Sequence, residues 1–442
     1  MTSISARAEA AAFALEKFNK SLKGQPLETS IYSLTSLLKR RQIHGSEACA
    51  IATANLLLQV VAKSRVSDVD QLLAQISAVG SRLVAAQPKE VAVGNIVRRV
   101  LGLIRDEAEE DRNGNQSRAS GQTTPPPIEA SSTVGSAAAV AESPSALRHA
   151  LLRSSTQSPP GPYSVPKSKS LLHLLSPAGP TDGSSLSGMN VSGSSTPTGL
   201  GRAKIQAVRS EVIDGIEEIK DEIDQVDDQI SASAEAQIRP GEYVMVHEPS
   251  ATVRRFLLKA ASKRKFTLIV VIHPSRQQAA GTVYSDLAKS LGKHGISTIT
   301  VVSSAVTAYM PHVDKVILGS HAVFANGSVL MDAGTANIAR TAKKRGSAVV
   351  VLSGVYKFSP EIPFDEAALV EWGNPSLSVD YSEGDIVNHV TVQDPVTELV
   401  PEDLVDIYIT NLGVHSRDHL SDIIDEHYKQ EDVDFYVPES ID

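Results

Sequence analysis

Residues 315 to 335, KVILGSHAVFANGSVLMDAGT, contain the pattern that decides the fold of this 442-residue chain. A short apolar strand runs into a glycine turn, and a second turn precedes a helix that Gly334 and Thr335 are expected to open. This order is typical of α/β proteins, which present ligands at the carboxyl ends of their strands. A phosphate there would prefer cationic side chains or amide donors, but the stretch supplies His321 and Asp332. The pattern therefore predicts the backbone shape of a phosphate site without the side chains that bind phosphate. This favours a binding function over a catalytic one.

The alternation of strand and helix continues over residues 239 to 442. Buried apolar strands separated by helices predict a Rossmann-like α/β domain, in which a parallel sheet has helices on both faces. We expect residues 400 to 436 to close this domain with a pair of helices and an acidic tail. The predicted strands are 243–247, 266–272, 297–302, 315–318 and 348–352, and the predicted helices between them include 252–263 and 281–292.

Two segments of very different composition come first in the chain. Residues 1 to 105 carry apolar side chains at steps of three and four, as at Leu72 and Ile76, which predicts an N-terminal helical domain. Residues 106 to 202 are rich in Ser, Pro and Gly and nearly lack aromatic residues. Such a segment buries too little apolar surface to offset its chain entropy, so a long disordered linker is predicted there.

A long amphipathic helix is predicted over residues 203 to 238. Its apolar stripe fits either one strand of a coiled coil or a spine between two domains. The spine is favoured because the α/β domain begins directly afterwards. The stripe consists of Ile205, Val208, Val212, Ile216, Ile219, Ile223, Val226 and Ile230.

Charge and cysteine content exclude several classes of function. The formal net charge of -9 argues against non-specific affinity for nucleic acid. The single cysteine, Cys49, excludes an intrachain disulfide framework and a cysteine-rich zinc site, and it suits a reducing compartment. The sequence begins without a secretory signal pattern and has no apolar stretch of membrane-spanning length. We therefore expect a cytosolic protein that contacts neither nucleic acid nor membrane directly.

Three predicted strand ends could converge on one crevice. The first carries His247 and Glu248, the second carries Arg276, and the third is the loop from Gly319, with its Asn326-Gly327 turn. No nucleotide-binding, nucleophile or metal motif accompanies them, so we expect no catalytic residue, cofactor or metal ion.

A basic run is the strongest electrostatic feature of the predicted α/β domain. Its composition favours a solvated helix end, and the alternative is a contact with an acidic or phosphorylated partner. The run consists of Arg254, Arg255, Lys259, Lys263, Arg264 and Lys265.

A family resemblance follows from these motifs. The loop from Gly319 to Thr335 resembles the G-A-D-R…N-G-D-V-x-N-K-I-G-T signature of methylthioribose-1-phosphate and ribose-1,5-bisphosphate isomerases. It is still more similar to the related alpha, beta and delta regulatory subunits of translation initiation factor 2B, among which the beta branch matches best. SATV at 250–253, KRKF at 263–266, FSP at 358–360 and ITNLG at 409–413 are similar to further elements of that branch.

Departures from the isomerases bear on the chemistry that the resemblance implies. Aligned motif to motif, the isomerase aspartate falls on His321 and the isomerase lysine falls on Asp332, which would repel a substrate phosphate. The isomerase cysteine has no equivalent, because the corresponding strand end carries His247 and Glu248. The resemblance therefore implies a degenerate former substrate site and no enzymatic activity.

The resemblance also implies partners. A chain of this kind would pair with the delta subunit and assemble with alpha, gamma and epsilon subunits, of which epsilon would carry the exchange activity. The assembly would bind translation initiation factor 2 and sense phosphorylation of its alpha subunit, as in the integrated stress response. The alternatives are a sugar-phosphate isomerase with a rearranged site, or the alpha or delta paralogue of the same family.

Overall fold

The computed structural model describes residues 4–119, 197–272, 277–377 and 379–435. The described residues up to 118 and from 197 onward belong to one compact unit. None of the described helices combines the length and apolar character that a membrane span requires. The division into domains predicted from the sequence stays a prediction, since the contact pattern joins the helical and α/β regions.

The N-terminal region consists of five helices. Their apolar faces share one core, in which Leu34, Leu56 and Leu72 are completely buried. The fifth helix continues to Ala119, past the predicted domain boundary at residue 105. Residues 120 to 196 of the predicted linker lie outside the described residues. The helices are α1 Ile4–Leu22, α2 Leu27–Lys39, α3 Ser46–Lys63, α4 Val69–Ala86 and α5 Val91–Ala119.

The spine helix, α6, runs over Pro197–Ala232 and therefore begins before the predicted residue 203. All eight apolar positions of the predicted stripe are buried. The helix packs against α3 on one side and against α8, Ala251–Ala261, on the other, with a short helix α7, Ala234–Gln237, at its end. The stripe is thus used within the chain, as a spine between the helical and α/β regions.

The main sheet of the α/β region has seven strands in the order β11-β10-β7-β4-β1-β2-β3. Six strands are parallel, which confirms the predicted parallel sheet, and a seventh, β11, absent from the prediction, pairs antiparallel with β10. A tight turn is enough to add an antiparallel strand, whereas a parallel one needs a crossover. The strands are β1 Tyr243–His247, β2 Thr267–Ile272, β3 Ser297–Val302, β4 Lys315–Gly319, β7 Ala348–Leu352, β10 Ile407–Thr410 and β11 Gly413–His415.

Helices cover both faces of this sheet because successive strand residues alternate between two cores. In β1, Val244 and Val246 belong to the core shared with the N-terminal helices, and Met245 belongs to the core on the opposite face. Helices α8 and α9 (Gln277–Lys293) lie on the first face. Helices α11 (Thr335–Arg345) and α14 (Leu420–His427) lie on the second face. The described part of the region also contains three short helices: α10 Val306–Tyr309, α12 Glu366–Leu369 and α13 Asp385–His389.

A second sheet, absent from the prediction, has four strands in the order β8-β5-β6-β9. Its strands are β5 Ala322–Phe324, β6 Val329–Asp332, β8 Phe358–Ser359 and β9 Thr397–Val400. The Asn326-Gly327 turn joins β5 to β6 as a hairpin, so it does not lead directly into a helix. The predicted C-terminal helix pair was also wrong, because residues 400 to 436 contain β10, β11 and only one α-helix, α14, among those described.

Helix α5 joins the helical region to the C-terminal part of the chain. The amide of Asn95 donates to the carbonyl of Tyr356 across 3.1 Å. The guanidinium of Arg98 is completely buried, donates to the Val433 carbonyl across 3.0 Å and pairs with Glu361. These contacts fix the two regions against each other, and the cavity described next lies between them.

Candidate functional site

A cavity of about 440 Å³ separates the N-terminal helices from the carboxyl ends of β1 and β4. The helical side contributes Ala11, Ala12, Leu15, His44, Gly45, Ser46, Glu47, Ala48 and Ile51. The α/β side contributes Glu248, Ser250, Ala251, Thr252, Gly319, Ser320, His321, Asp332, Tyr356 and Lys357. A cavity of this size accommodates a small organic molecule, and its position matches the place where α/β sheets present ligands.

Local backbone geometry sets the floor of the cavity. Glu248 follows β1 with a φ of 40°, which is uncommon for a non-glycine residue, and its carboxylate accepts a hydrogen bond from the Tyr284 hydroxyl across 2.6 Å. Ser250 caps α8 by accepting from the Val253 amide. Gly319 ends β4 against this cap, and a Cβ there would lie 2.7 Å from the Ser250 hydroxyl oxygen. Only glycine allows the end of β4 to lie so close to the Ser250 cap without displacement.

The hairpin between β5 and β6 brings His321 and Asp332 together at the cavity wall. Their Nε2 and Oδ1 atoms lie 3.4 Å apart, which makes a charge contact and not a well-formed hydrogen bond. Burial lowers the pKa of His321, but Asp332 and the Glu90 carboxylate outweigh it, so the pKa of His321 is raised overall. The two side chains that the sequence singled out therefore interact with each other across the cavity wall.

Tyr356 and Lys357 are cavity residues that the sequence analysis missed. They occupy a single helical turn, Val355–Lys357, whose first amide donates to the Asn411 side chain across 2.9 Å. The Lys357 ammonium donates to the Ser320 carbonyl across 3.0 Å. Burial lowers the pKa of Lys357, although the carboxylates of the surrounding elements act in the opposite direction. The only available signal was their position next to the FSP element at 358–360.

Two carboxylates of the helical region were also missed. Glu47 lies in the first turn of α3 and lines the cavity, and Glu90 lies just before α5. Burial raises the pKa of both carboxyl groups. Burial also raises the pKa of the Cys49 thiol, which is completely buried, so this cysteine is a core residue.

Three other predicted crevice residues, His247, Asn326 and Gly327, do not line the cavity. His247 is buried beside it, with Nε2 3.0 Å from the Ala333 carbonyl, and supports the turn before α11. Asn326 stays within the hairpin turn, where its side chain accepts from the Ser328 amide across 3.0 Å. The Gly327 carbonyl accepts from the Tyr408 hydroxyl across 2.6 Å. Arg276 lies outside the described residues.

Most of the basic run has partners within the chain. The guanidinium of Arg255 lies 3.7 Å from the Asp227 carboxylate on the spine helix. Lys263 and Arg264 both pair with Glu235, across 3.0 Å and 3.5 Å. The guanidinium of Arg254 donates to the Pro249 carbonyl and the ammonium of Lys265 donates to the His294 carbonyl. Lys259 is exposed on α8, and no described residue forms an ion pair with it.

The charges of the cavity determine which ligands it can hold. Three carboxylates line it, from Glu47, Glu248 and Asp332, against the Lys357 ammonium and the titratable imidazole of His321. A negative lining opposes a sugar phosphate, whose recognition requires cations or free amide donors. Within the described residues, no group of three histidine, cysteine, aspartate or glutamate side chains is arranged to hold a metal ion.

Residues 42–417 match the model of the initiation factor 2 subunit family. The chain is 34% identical over 409 residues to the translation initiation factor eIF2B subunit beta of Schizosaccharomyces pombe, covering 91% of this chain and 96% of that protein. It is 27% identical over 227 residues to the ribose 1,5-bisphosphate isomerase of Pyrococcus furiosus, covering 51% of this chain and 69% of the isomerase.

Solved structures agree with the sequence comparison. The crystal structure of eIF2B beta from Chaetomium thermophilum aligns with a TM-score of 0.63 at 38% identity, covering 95% of this chain and 96% of that one. A chain of the tetrameric eIF2B-beta2-delta2 complex from the same organism aligns with a TM-score of 0.62 at 38% identity, covering 93% and 99%. The helical region, the mixed sheet and the similarity along nearly the whole length agree: the chain belongs to the initiation factor 2 subunit family, in the branch of the eIF2B beta subunits.

Proposed function

We propose that the chain is a non-catalytic regulatory and scaffold subunit of the guanine-nucleotide exchange factor that acts on translation initiation factor 2. The observation that carries this proposal is the contact between His321 and Asp332, whose Nε2 and Oδ1 atoms are 3.4 Å apart. The two residues occupy the positions of the isomerase acid and the isomerase lysine. A carboxylate in place of the lysine repels a substrate phosphate, so the cavity has lost the chemistry of an isomerase.

The proposed partners are the delta, alpha, gamma and epsilon subunits of the same exchange factor. The similarity to a chain of a beta2-delta2 tetramer supports delta as the direct neighbour. Through the assembly, the chain would help to bind translation initiation factor 2 in the cytosol and to sense phosphorylation of that factor's alpha subunit. The net charge of -9 supports protein partners over nucleic acid or an anionic membrane.

Co-expression with a delta subunit tests the pairing. We expect a complex that survives gel filtration and whose mass, measured by native mass spectrometry, contains both chains. An obligate pairing of this kind buries on the order of 2,000 Å² or more. If the purified chains stay separate at micromolar concentration, and the chain is also absent from a complex purified through the other four subunits, the proposed function is wrong.

The basic run gives a finer proposal, a contact with an acidic or phosphorylated partner. Lys259 is its best candidate because the other five residues bond within the chain. Lys259→Glu should weaken capture of phosphorylated factor 2 by the assembled exchange factor. Lys344→Glu is the matched control, since Lys344 is an exposed lysine near the end of α11 and, like Lys259, forms no ion pair with a described residue. Equal losses in both variants would mean that the run is only a solvated helix end.

Isomerase activity is the second candidate, supported by the similarity to ribose 1,5-bisphosphate isomerases and by the retained cavity. It predicts turnover of ribose 1,5-bisphosphate or methylthioribose 1-phosphate that is lost in Glu248→Gln or His321→Gln. We expect no turnover, because Asp332 stands where the substrate phosphate needs a lysine. Turnover by the wild-type chain that both variants abolish would reverse this conclusion.

A further inference from the structure

The hydroxyl of Tyr356 points to a ligand in the cavity between the helical and α/β regions. Tyr356 is 4% exposed and lines the cavity. No residue in the described part of the chain forms a hydrogen bond with this hydroxyl. A buried phenol normally has a hydrogen-bond partner, so the open position is a place for a ligand atom.

The electrostatic surroundings of Tyr356 select a positively charged ligand. Burial raises the pKa of the Tyr356 phenol well above its ordinary value, and the carboxylates of Glu47, Asp227 and Glu90 act in the same direction. The same three carboxylates act to raise the pKa of Lys357, whose ammonium is buried nearby. The carboxylates of Glu47, Glu248 and Asp332 line the cavity beside this turn, so its surroundings favour a cation over an anion.

The helix ends at the cavity do not reverse this preference. Helices α3 and α8 both begin there, and the amino end of a helix favours negative charge. In α3, Glu47 in the first turn supplies that charge. In α8, the Ser250 side chain already accepts from the Val253 amide. Groups of this chain therefore already interact with both helix ends.

We propose that the cavity binds a small organic cation, an alkylammonium or guanidinium compound with a short apolar body. Glu47 and Asp332 would accept hydrogen bonds from the charged group, and the Tyr356 hydroxyl would accept one more. Leu15 and Ile51 line the helical side and would contact the apolar body. A bare metal ion is a poorer fit, since the described residues contain no cluster of three ligating side chains. This ligand class differs from the sugar phosphates of the isomerases and does not depend on the proposed role in the exchange factor.

Agmatine, which combines a guanidinium, an ammonium and a short methylene chain, is the probe that tests the proposal. Calorimetry on the full-length chain should detect binding, and agmatine should raise the thermal unfolding midpoint. Glu47→Gln and Asp332→Asn should each weaken binding by about tenfold, the usual loss for one charge-assisted hydrogen bond. Tyr356→Phe keeps the ring and should weaken binding several-fold. Glu16→Gln removes an exposed carboxylate of α1 outside the cavity and should leave the affinity unchanged.

Two results would overturn the proposal. One is the absence of binding at about 10 mM agmatine, a concentration well above the useful range of a specific small-molecule site. The other is equal affinity in the wild type and in whichever of the three cavity variants fold, as judged by circular dichroism. Ribose 5-phosphate serves as the anionic comparison, and tighter binding of this phosphate than of agmatine would contradict the proposed charge preference.

Discussion

The guanidinium of Arg105 on α5 binds both carboxylate oxygens of Asp432, with its Nε atom 3.1 Å from each and its Nη2 atom 2.9 Å from Oδ1. Asp432 is 2% exposed, whereas the Arg105 side chain keeps partial access to solvent. The hydrogen bonds to Asp432 raise the pKa of Arg105. A buried carboxylate held in this way ties residues near the end of the α/β region to the fifth helix.

Removing the guanidinium should therefore destabilise the protein strongly. Arg105→Met leaves the Asp432 charge buried without its partner, and we expect the free energy of unfolding to fall by about 3 kcal/mol. Urea unfolding measures this loss. Arg82→Met is the control, because the Arg82–Glu28 pair is exposed and such pairs contribute below about 1 kcal/mol. Equal effects of the two substitutions would show that the Asp432 contact has no special weight.

The apolar stripe of the spine helix should be the most sensitive part of α6. Ile216 is completely buried between the two regions. Ile216→Ala removes buried methyl groups and leaves a cavity, so we expect a loss of about 2 to 4 kcal/mol in the free energy of unfolding. The neighbouring Glu217 is exposed, and Glu217→Ala should change stability by less than about 0.5 kcal/mol. A small effect at Ile216 would contradict the role of α6 as a spine.

The close approach of Gly319 to Ser250 gives a third prediction. In Gly319→Ala the new Cβ would lie 2.7 Å from the Ser250 hydroxyl oxygen, so Ser250 must move and give up its cap on α8. We expect a loss of about 1 kcal/mol or more, the usual contribution of a helix cap. The double variant with Ser250→Ala should lose less than the sum of the two single variants.

Gly292→Ala provides the control of opposite sign. Gly292 lies within α9, and a Cβ added there would meet no atom within 4 Å, so alanine should stabilise the helix by about 0.5 to 1 kcal/mol. Thermal unfolding of both glycine variants distinguishes steric conflict from a general effect of replacing glycine. Stabilisation in Gly319→Ala would show that Gly319 and Ser250 do not approach as described.

The contact of His321 with Asp332 predicts a pH dependence of stability. The folded-state pKa of His321 is raised, so the protonated form stabilises the fold fully below the unfolded-state pKa of about 6.5. This contribution is lost as the pH rises from about 6.5 through the higher folded-state pKa. We expect a change below about 1 kcal/mol, because the ring is 41% exposed and solvent screens the charge.

Urea unfolding at several pH values across this window measures the effect. In His321→Gln the slope of stability against pH should become flatter. His312→Gln replaces an exposed histidine outside the cavity and should keep the wild-type slope. Identical slopes for wild type and His321→Gln would mean that Asp332 and Glu90 do not act on this ring.

Helical segments could be predicted from the sequence where an apolar pattern repeats over many residues. The stripe of α6 repeats eight times, and all eight positions are buried. Strands β10 and β11 were missed because they are only Ile407–Thr410 and Gly413–His415, too short for a period to emerge. β10 forms because it pairs with β7, which lies far away in the sequence, and β11 then pairs with β10.

The cavity could be predicted only in part for a related reason. Glu248 and His321 come just after β1 and β4 of the main sheet, and Asp332 ends β6 of the second sheet, so strand ends and the Gly319 loop pointed to them. Glu47 comes from α3, and Tyr356 and Lys357 come from a single turn between β7 and β8. Nothing local connects these elements, because packing of the helical region onto the sheet brings them together. His247 was expected in the crevice but supports the Ala333 carbonyl beside it.

The contacts of α4 and α5 with the last described residues have a consequence for synthesis of the chain. Ser77 donates to the Phe435 carbonyl and Arg98 donates to the Val433 carbonyl, across separations of 358 and 335 residues in the sequence. At ordinary rates of translation the ribosome needs roughly half a minute to cover such a distance. During that interval the guanidinium of Arg98 has no Val433 to bond, and the first helices stay in an incomplete state. The N-terminal region thus completes its hydrogen bonds only when residues made much later have left the ribosome.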